Sequence, residues 1–386
     1  MIKQRVNCWL AALALCLVCV PVMPVSAATR HETGISTSGS LVGLPHDQLD
    51  QRLADIKELG AVWIRVDFSW PVIQPDNAQG YEWSPYDYLI RRADAHGLKI
   101  LAVLAYTPGW AQDQQCAQVT KSAARAQKCP PQTVDSFARF ARAASMRYAG
   151  TNVRAWEIWN EPNSTVYFRT PQQGSVLAVN PRKYAQLANA AALEIRNHYK
   201  DSVIITGGLS PMFEPHPSRA MRQSDYLDQL LPHLRPDLYD AVGIHPYSWP
   251  VRPSKVADYN AFYTVDNGKP EYNLRTIMGK HGWGGKEIWA TEYGASTKGL
   301  ISTPRPSKAL RPDHVSEPAQ ASLIGEGVKE WYKKQNVGPL FVHSDSDRWL
   351  KNNKNEHGFG LRRVDDTKKP AYFEFQEAAQ GLRTSL

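Results

Sequence analysis

Two hydrophobic runs in this 386-residue chain end on a carboxylate: Trp156-Glu157-Ile158-Trp159-Asn160-Glu161-Pro162-Asn163 and Ile288-Trp289-Ala290-Thr291-Glu292-Tyr293-Gly294. Apolar residues on both faces of such a run read as a strand covered on both sides, and a charge is rarely spent at its end without a task. Two carboxyls that face one another can divide acid-base and nucleophilic work. One keeps its proton and donates it to a departing oxygen, while its neighbour stays ionised and attacks. The ionised member needs a cation beside it. Arg65, in Trp63-Ile64-Arg65-Val66-Asp67, is the candidate.

These residues can meet only if the fold brings the ends of distant strands together. Strand patterns are expected at 35–42, 61–68, 99–105, 153–160, 203–208, 241–245, 287–292 and 339–343, and helical patterns alternate with them. The helix of 47–59 carries Leu49, Leu53 and Ile56 on one stripe, and that of 134–149 carries Phe137, Phe140, Ala141, Ala144 and Tyr148. Ser84 before Pro85 and Asn180 before Pro181 read as N-caps with a first-turn proline. Weaker helices are expected at 224–231, 272–280, 318–335 and 370–380.

Helix-to-strand joints are tight, as at Leu59-Gly60-Ala61, whereas strand-to-helix joints are long, as from Tyr106 to Thr133 and Pro246 to Glu271. Loops of that length are usually functional. In an α/β (β/α)8 barrel, or TIM barrel, they all gather on the face at the strands' C-terminal ends. The signature Gly-x-Gly-x-x-Gly of a doubly wound dinucleotide fold is absent. The fourth and seventh strands lie on opposite sides of an eight-strand ring, so Glu161 and Glu292 can face each other across its mouth. Two carboxyls about 5 to 5.5 Å apart are the arrangement of a retaining glycosidase.

Here the sequence resembles a known family. Asn160-Glu161-Pro162 at the end of the fourth strand, with Glu292 ending the seventh, is similar to the signature of clan A retaining glycoside hydrolases on (β/α)8 barrels. The wording Trp-Glu-Ile-Trp-Asn-Glu-Pro-Asn, His245-Pro246-Tyr247 and Trp-x-Thr-Glu-Tyr-Gly resembles family 39 and related bacterial exopolysaccharide endoglycosidases. The resemblance spans essentially the whole mature chain. It implies Glu161 as acid/base and Glu292 as nucleophile. It also implies a substrate-binding set of Asn160, Arg65, His245, Tyr247 and Trp349, with Asn160 on a sugar 2-hydroxyl, Arg65 holding Glu292 ionised and Trp349 stacking on the sugar. The implied function is hydrolysis of a β-linked polysaccharide or glycoconjugate through a covalent glycosyl-enzyme. The alternative is a catalytically silent glycan-binding barrel serving polysaccharide export, which would not need both glutamates. No Gly-x-Ser-x-Gly elbow supports an esterase. Loops around Trp110, Tyr167, Phe168, Trp249 and Tyr263 can build either a groove or a pocket.

Residues 1–27 read as a signal peptide. Lys3 and Arg5 precede an uncharged stretch from Val6 to Thr29 that closes on Val25-Ser26-Ala27-Ala28. Its apolar heart is shorter than a spanning helix wants, so an exported protein, periplasmic or secreted, is expected rather than a stable membrane insertion. Residues 28–386 then form a single catalytic domain. Removing the leader leaves Cys116 and Cys129 as the only cysteines, expected as a disulfide in an oxidising compartment. A net charge of +8 comes without a basic run or basic-aromatic repeat, so no nucleic-acid partner is expected. The partner expected is a carbohydrate, an oligo- or polysaccharide. No cofactor and no metal are called for, since no His-Glu-x-x-His segment exists. Glu157 is expected as a buried charge paired with Arg65 or Lys99. The run from His343 to Asp347 lacks the features of a cation loop and is expected as a solvated loop, as is the turn from Lys351 to Lys354.

Overall fold

The computed structural model describes residues 31–120, 122–172, 177–212, 219–297, 314–348 and 357–384. The leader, Trp349 and the turn from Lys351 to Lys354 lie outside the described residues. Eight parallel strands close a barrel: β1 (Thr33–Ser38), β2 (Trp63–Ser69), β3 (Lys99–Ala105), β4 (Val153–Asn160), β5 (Val203–Gly208), β6 (Ala241–Ile244), β7 (Glu287–Tyr293) and β8 (Val337–His343). Each pairs with the next in sequence, and β1 pairs with β8 from Thr33 opposite Leu340 to Ser36 opposite His343. This is the (β/α)8 barrel the alternation predicts. The outer ring holds α1 (His46–Glu58), α2 (Ser84–Ala95), α3 (Val134–Tyr148), α4 (Pro181–His198), α5 (Gln223–Leu230), α6 (Leu274–Lys280), α7 (Glu317–Trp331) and α8 (Pro370–Thr384).

The expected stripes are the buried ones. Leu49, Leu53 and Ile56 of α1 face the sheet, as do Phe137, Phe140, Ala141, Ala144 and Tyr148 of α3. Asn180 caps α4 by accepting from the Lys183 amide at 3.0 Å. Ser84 does not cap α2. The helix already includes it, and Trp83 occupies the cap position without a side-chain bond.

The barrel floor is filled by Trp63, Leu101, Ala155, Ile205, Ala241, Trp289 and Phe341, one residue from each of β2 to β8. Strand β1 contributes Gly34 there, because a Cβ at that position would lie 2.5 Å from the Phe341 ring and 2.8 Å from Trp63 Cβ. Three large rings thus close the bottom of the barrel around a backbone with no side chain to offer. Above this apolar layer the interior turns charged.

Strand β4 departs from simple alternation just where it meets the mouth. Trp156 and Ile158 point to the helix layer and Glu157 points inward, as period two requires. Trp159 then adopts a left-handed φ of 71° and also packs outward, against Phe137 and Phe168. Asn160 is thereby returned to the interior. Glu161 follows with a φ of 43°, its amide donating to Gly208 O at 3.1 Å. Two non-glycine residues in this region of backbone space represent strain that the surrounding packing must hold.

The long loop after β3 is stapled by Cys116–Cys129, whose Cα atoms are 5.8 Å apart, as the cysteine count predicts. The His343 to Asp347 run is not the solvated loop expected. Ser344, Asp345, Ser346 and Asp347 are buried; Asp345 pairs with Arg52, and Asp347 accepts from Lys369 Nζ at 2.8 Å and from the Gly360 amide at 2.9 Å. Acids that look solvent-bound by composition are here consumed in anchoring the loop after β8. No helix among the described residues is long and apolar enough to cross a membrane.

Candidate active site

Arg65 organises the barrel mouth. Its guanidinium, 0% exposed, donates from Nε to Glu157 Oε2 at 2.6 Å and from Nη2 to Glu157 Oε1 at 3.0 Å. It also reaches Glu292 Oε1 at 2.5 Å, Asn160 Oδ1 at 2.8 Å and Ser36 Oγ at 3.3 Å. Of the two expected partners, Glu157 thus takes Arg65, while Lys99 pairs with Glu32 at 2.8 Å. Glu157 Oε1 also accepts from the Gly208 amide at 2.8 Å and from Thr291 Oγ1 at 3.1 Å, so this buried charge is fully solvated by protein.

Arg65, expected to hold Glu292 ionised, lies beneath the mouth with its donors spent on protein acceptors. It positions Glu292 and Asn160 and touches no open space.

Glu292 and Glu161 are each 9% exposed and face the same opening. Burial works against ionising Glu292, but the positive potential of His245 and Arg65, with the Tyr247 hydroxyl donating to Oε2 at 2.9 Å, holds its carboxyl far below the usual range. His245, fully buried, places Nδ1 2.9 Å from Glu161 Oε1 and 3.6 Å from Glu292 Oε2. Burial disfavours the imidazolium, yet the neighbouring Glu292 and the bond to Glu161 outweigh it and raise the ring's affinity for a proton. Glu161, His245 and Glu292 each offer a ligand atom within 4.8 Å of the other two. One oxygen of each carboxylate thus lies within 4.8 Å of the other, close to the roughly 5 to 5.5 Å separation of carboxyls associated with retention.

The structure brings together Glu161, Glu292, Asn160, Arg65, His245 and Tyr247 of the expected set. Trp349 lies outside the described residues. Phe168, expected on a cleft loop, is wholly buried against Trp159 and Tyr184 and builds core instead. Sequence reading passed over two polar groups at the mouth. Asp67 shares the inward parity of Arg65 on β2, a signal that was available in the Arg-Val-Asp spacing. Lys128, one residue before Cys129, places Nζ 2.8 Å from the centroid of the Tyr106 ring, which no local pattern announces.

With this geometry in place, comparison with known proteins decides the family. Residues 25–311 match the cellulase family, glycosyl hydrolase family 5. The chain belongs to that family. It is a retaining O-glycoside hydrolase of clan A, acting on carbohydrate. The clan expected from Asn160-Glu161-Pro162 stands, and family 39 enters through solved structures of the same fold. A family 39 glycoside hydrolase from Bacteroides cellulosilyticus WH2 superposes with a TM-score of 0.66 at 17% identity, over 91% of this chain and 64% of that one. A family 39 β-xylosidase from Caulobacter crescentus gives 0.60 at 18% identity, over 90% of this chain and 70% of that one. A family 5 (subfamily 18) structure from Streptomyces cattleya, in complex with GlcNAc, gives 0.63 at 16% identity, covering 93% and 82%. No curated protein sequence matches the chain.

Proposed function

We propose that this clan A hydrolase cleaves a β-linked polysaccharide or glycoconjugate outside the cytoplasm, with Glu161 as acid/base and Glu292 as nucleophile on a catalytic domain spanning residues 28–386. The observation that carries this reading is the pairing of a strongly ionised Glu292 with a second carboxylate within 4.8 Å that is bonded to His245. In the first step a Glu292 oxygen attacks the anomeric carbon as the glycosidic bond breaks. Glu161 gives its proton to the departing oxygen, and the sugar is left as an ester on Glu292. In the second step Glu161, now a carboxylate, takes a proton from water. That water attacks the same carbon and releases Glu292, so two inversions give net retention.

Each neighbour has a task in those steps. Arg65 and Tyr247 hold both Glu292 oxygens, which fixes the attack geometry and keeps the leaving carboxylate stable when the ester breaks. His245 bridges the acid and the nucleophile, so a proton stays beside Glu161 while Glu292 remains charged. Asn160 has its carbonyl oxygen tied to Arg65, which turns the amide NH2 towards the mouth as a donor for a sugar hydroxyl. Export is supported by the leader-like sequence of residues 1–27 and by the Cys116–Cys129 disulfide.

The test is Glu161→Gln. This variant should lose roughly a thousandfold or more of its rate on unactivated glycosides yet retain turnover of aryl glycosides with very acidic leaving groups, because those depart unprotonated. Added azide should restore turnover as a β-glycosyl azide. An α-azide product, or equal loss on both substrate types, contradicts the assignment.

A further inference from the structure

Of the three buried Lys and Arg side chains among the described residues, two are matched by acids. Arg65 has Glu157 and Glu292, and Lys369 has Asp347. Beside the mouth Arg169 breaks this pattern, together with half-buried Lys128 and exposed Arg125 next to it. Lys128, Arg169 and Arg125 form no ion pair among the described residues, although they stand near enough for Arg125 to act on Arg169 and Arg169 on Lys128. Arg169 is 9% exposed, its Nε has no hydrogen-bond partner, and its Nη2 makes a 3.3 Å bond to Val166 O.

Arg169 is buried and Lys128 half-buried, with Arg125 at the surface beside them. Lys128 and Arg125 sit on the loop after β3, and Arg169 sits on the loop after β4 that begins with Glu161. The two loops are joined by the Arg169 amide, which donates to Lys128 O at 3.1 Å, and by the contact of Cys116 Sγ with Arg169 O at 3.3 Å. Lys128 Nζ rests on the Tyr106 ring and lies 5.4 Å from the Tyr167 centroid, within electrostatic range of Glu161. A desolvated cation with no ion-pair partner is costly, and an arrangement that persists at a binding mouth points to a partner brought by the ligand.

Resting on the hydrolytic reading above, we propose that Lys128, backed by Arg169 and Arg125, forms a subsite for an anionic substituent on a sugar residue next to the scissile bond. The substrate is then an acidic glycan rather than a neutral one. The groups facing Lys128 agree with this. Burial draws its ammonium down to about 7, Asp67 offsets this only in part, and Arg169 adds to the depression. Asp67, the acid that acts on it most strongly, is itself pushed up by burial and so resists ionisation. Tyr106 and Tyr167 offer ring faces and no charge. A carboxylate or sulfate ester entering here would restore the full charge on Lys128 and give it the strong, charge-assisted bond it lacks.

Calorimetric titration of the full-length protein with cellobiose, its C6-carboxylate analogue and its 6-sulfate separates the possibilities. An acidic disaccharide should bind about tenfold or more tightly than cellobiose, and the better of the two names the group. In Lys128→Met that ratio should collapse to about one, while Lys128→Arg should keep most of it. Thermal melting of each variant shows that it is folded. Equal affinity for acidic and neutral disaccharides in the wild type, no binding of either acid, or a ratio that survives Lys128→Met overturns the inference. Hydrolysis of neutral aryl glycosides, followed in parallel, reports on the hydrolytic reading separately.

Discussion

Glu292 keeps its charge in surroundings that burial alone would make hostile to it. The cations at His245 and Arg65 and the Tyr247 hydroxyl win that contest, and the pH behaviour follows from it. Activity that needs ionised Glu292 should persist well below the ordinary carboxylate range and fade as pH falls through the depressed value. Tyr247→Phe removes one of the groups that depress it. The acid limb of kcat/KM should therefore move to higher pH, with a loss of roughly tenfold at the optimum. An unmoved acid limb would show that another group sets it. Arg65 carries a different risk, because deleting it leaves Glu157 buried and unpaired. Arg65→Met should cost about 3 to 5 kcal/mol of stability by denaturant unfolding. A loss under about 1 kcal/mol would mean that the amide of Gly208 and the hydroxyl of Thr291 are enough for Glu157.

Elements put these residues in place by two devices, one legible in the sequence and one hidden. Strands β3, β4 and β5 fall where hydrophobic runs bounded by glycine and polar turns predicted them, because covered strands need apolar residues on both faces. The parity of Asn160 was not legible. Period two points it outward, and it faces Arg65 only because Trp159 adopts a left-handed backbone that buries its ring against Phe137. Loops defeat sequence reading for a related reason. Asp345 and Asp347 look solvated by composition, yet Arg52 and Lys369, far away in sequence, bury them. Lys128 was missed likewise, since its neighbours Tyr106, Arg169 and Glu161 come from two separate loops that meet only in the fold. Replacing Cys116 and Cys129 by serine should lower stability by about 2 to 4 kcal/mol and bring the melting temperature down with it. Alkylation and intact mass before and after reduction should show no free thiol among these two in exported protein, and two reactive thiols would contradict the staple.

On the scale of the whole molecule, the barrel was legible because its rule is global: eight alternations, tight returns at one end and long loops at the other. Its charged interior is the less expected feature. An apolar floor of Trp63, Trp289 and Phe341 supports an Arg65–Glu157 layer, and that layer in turn holds Asn160 and Glu292 at the mouth. The nucleophile and the barrel's core are thus continuous, and misplacing Glu292 means rebuilding the layer beneath it. Incubating the protein with activated 2-deoxy-2-fluoro β-glycosides and mapping the modified peptide by mass spectrometry tests this arrangement most directly. The fluorine slows release of the glycosyl-enzyme more than its formation, so the ester accumulates on the residue that attacks. One sugar should be found on Glu292 and none on Glu292→Gln, whereas a label on Glu157, Glu161 or Glu287 would contradict the assignment of nucleophile and acid.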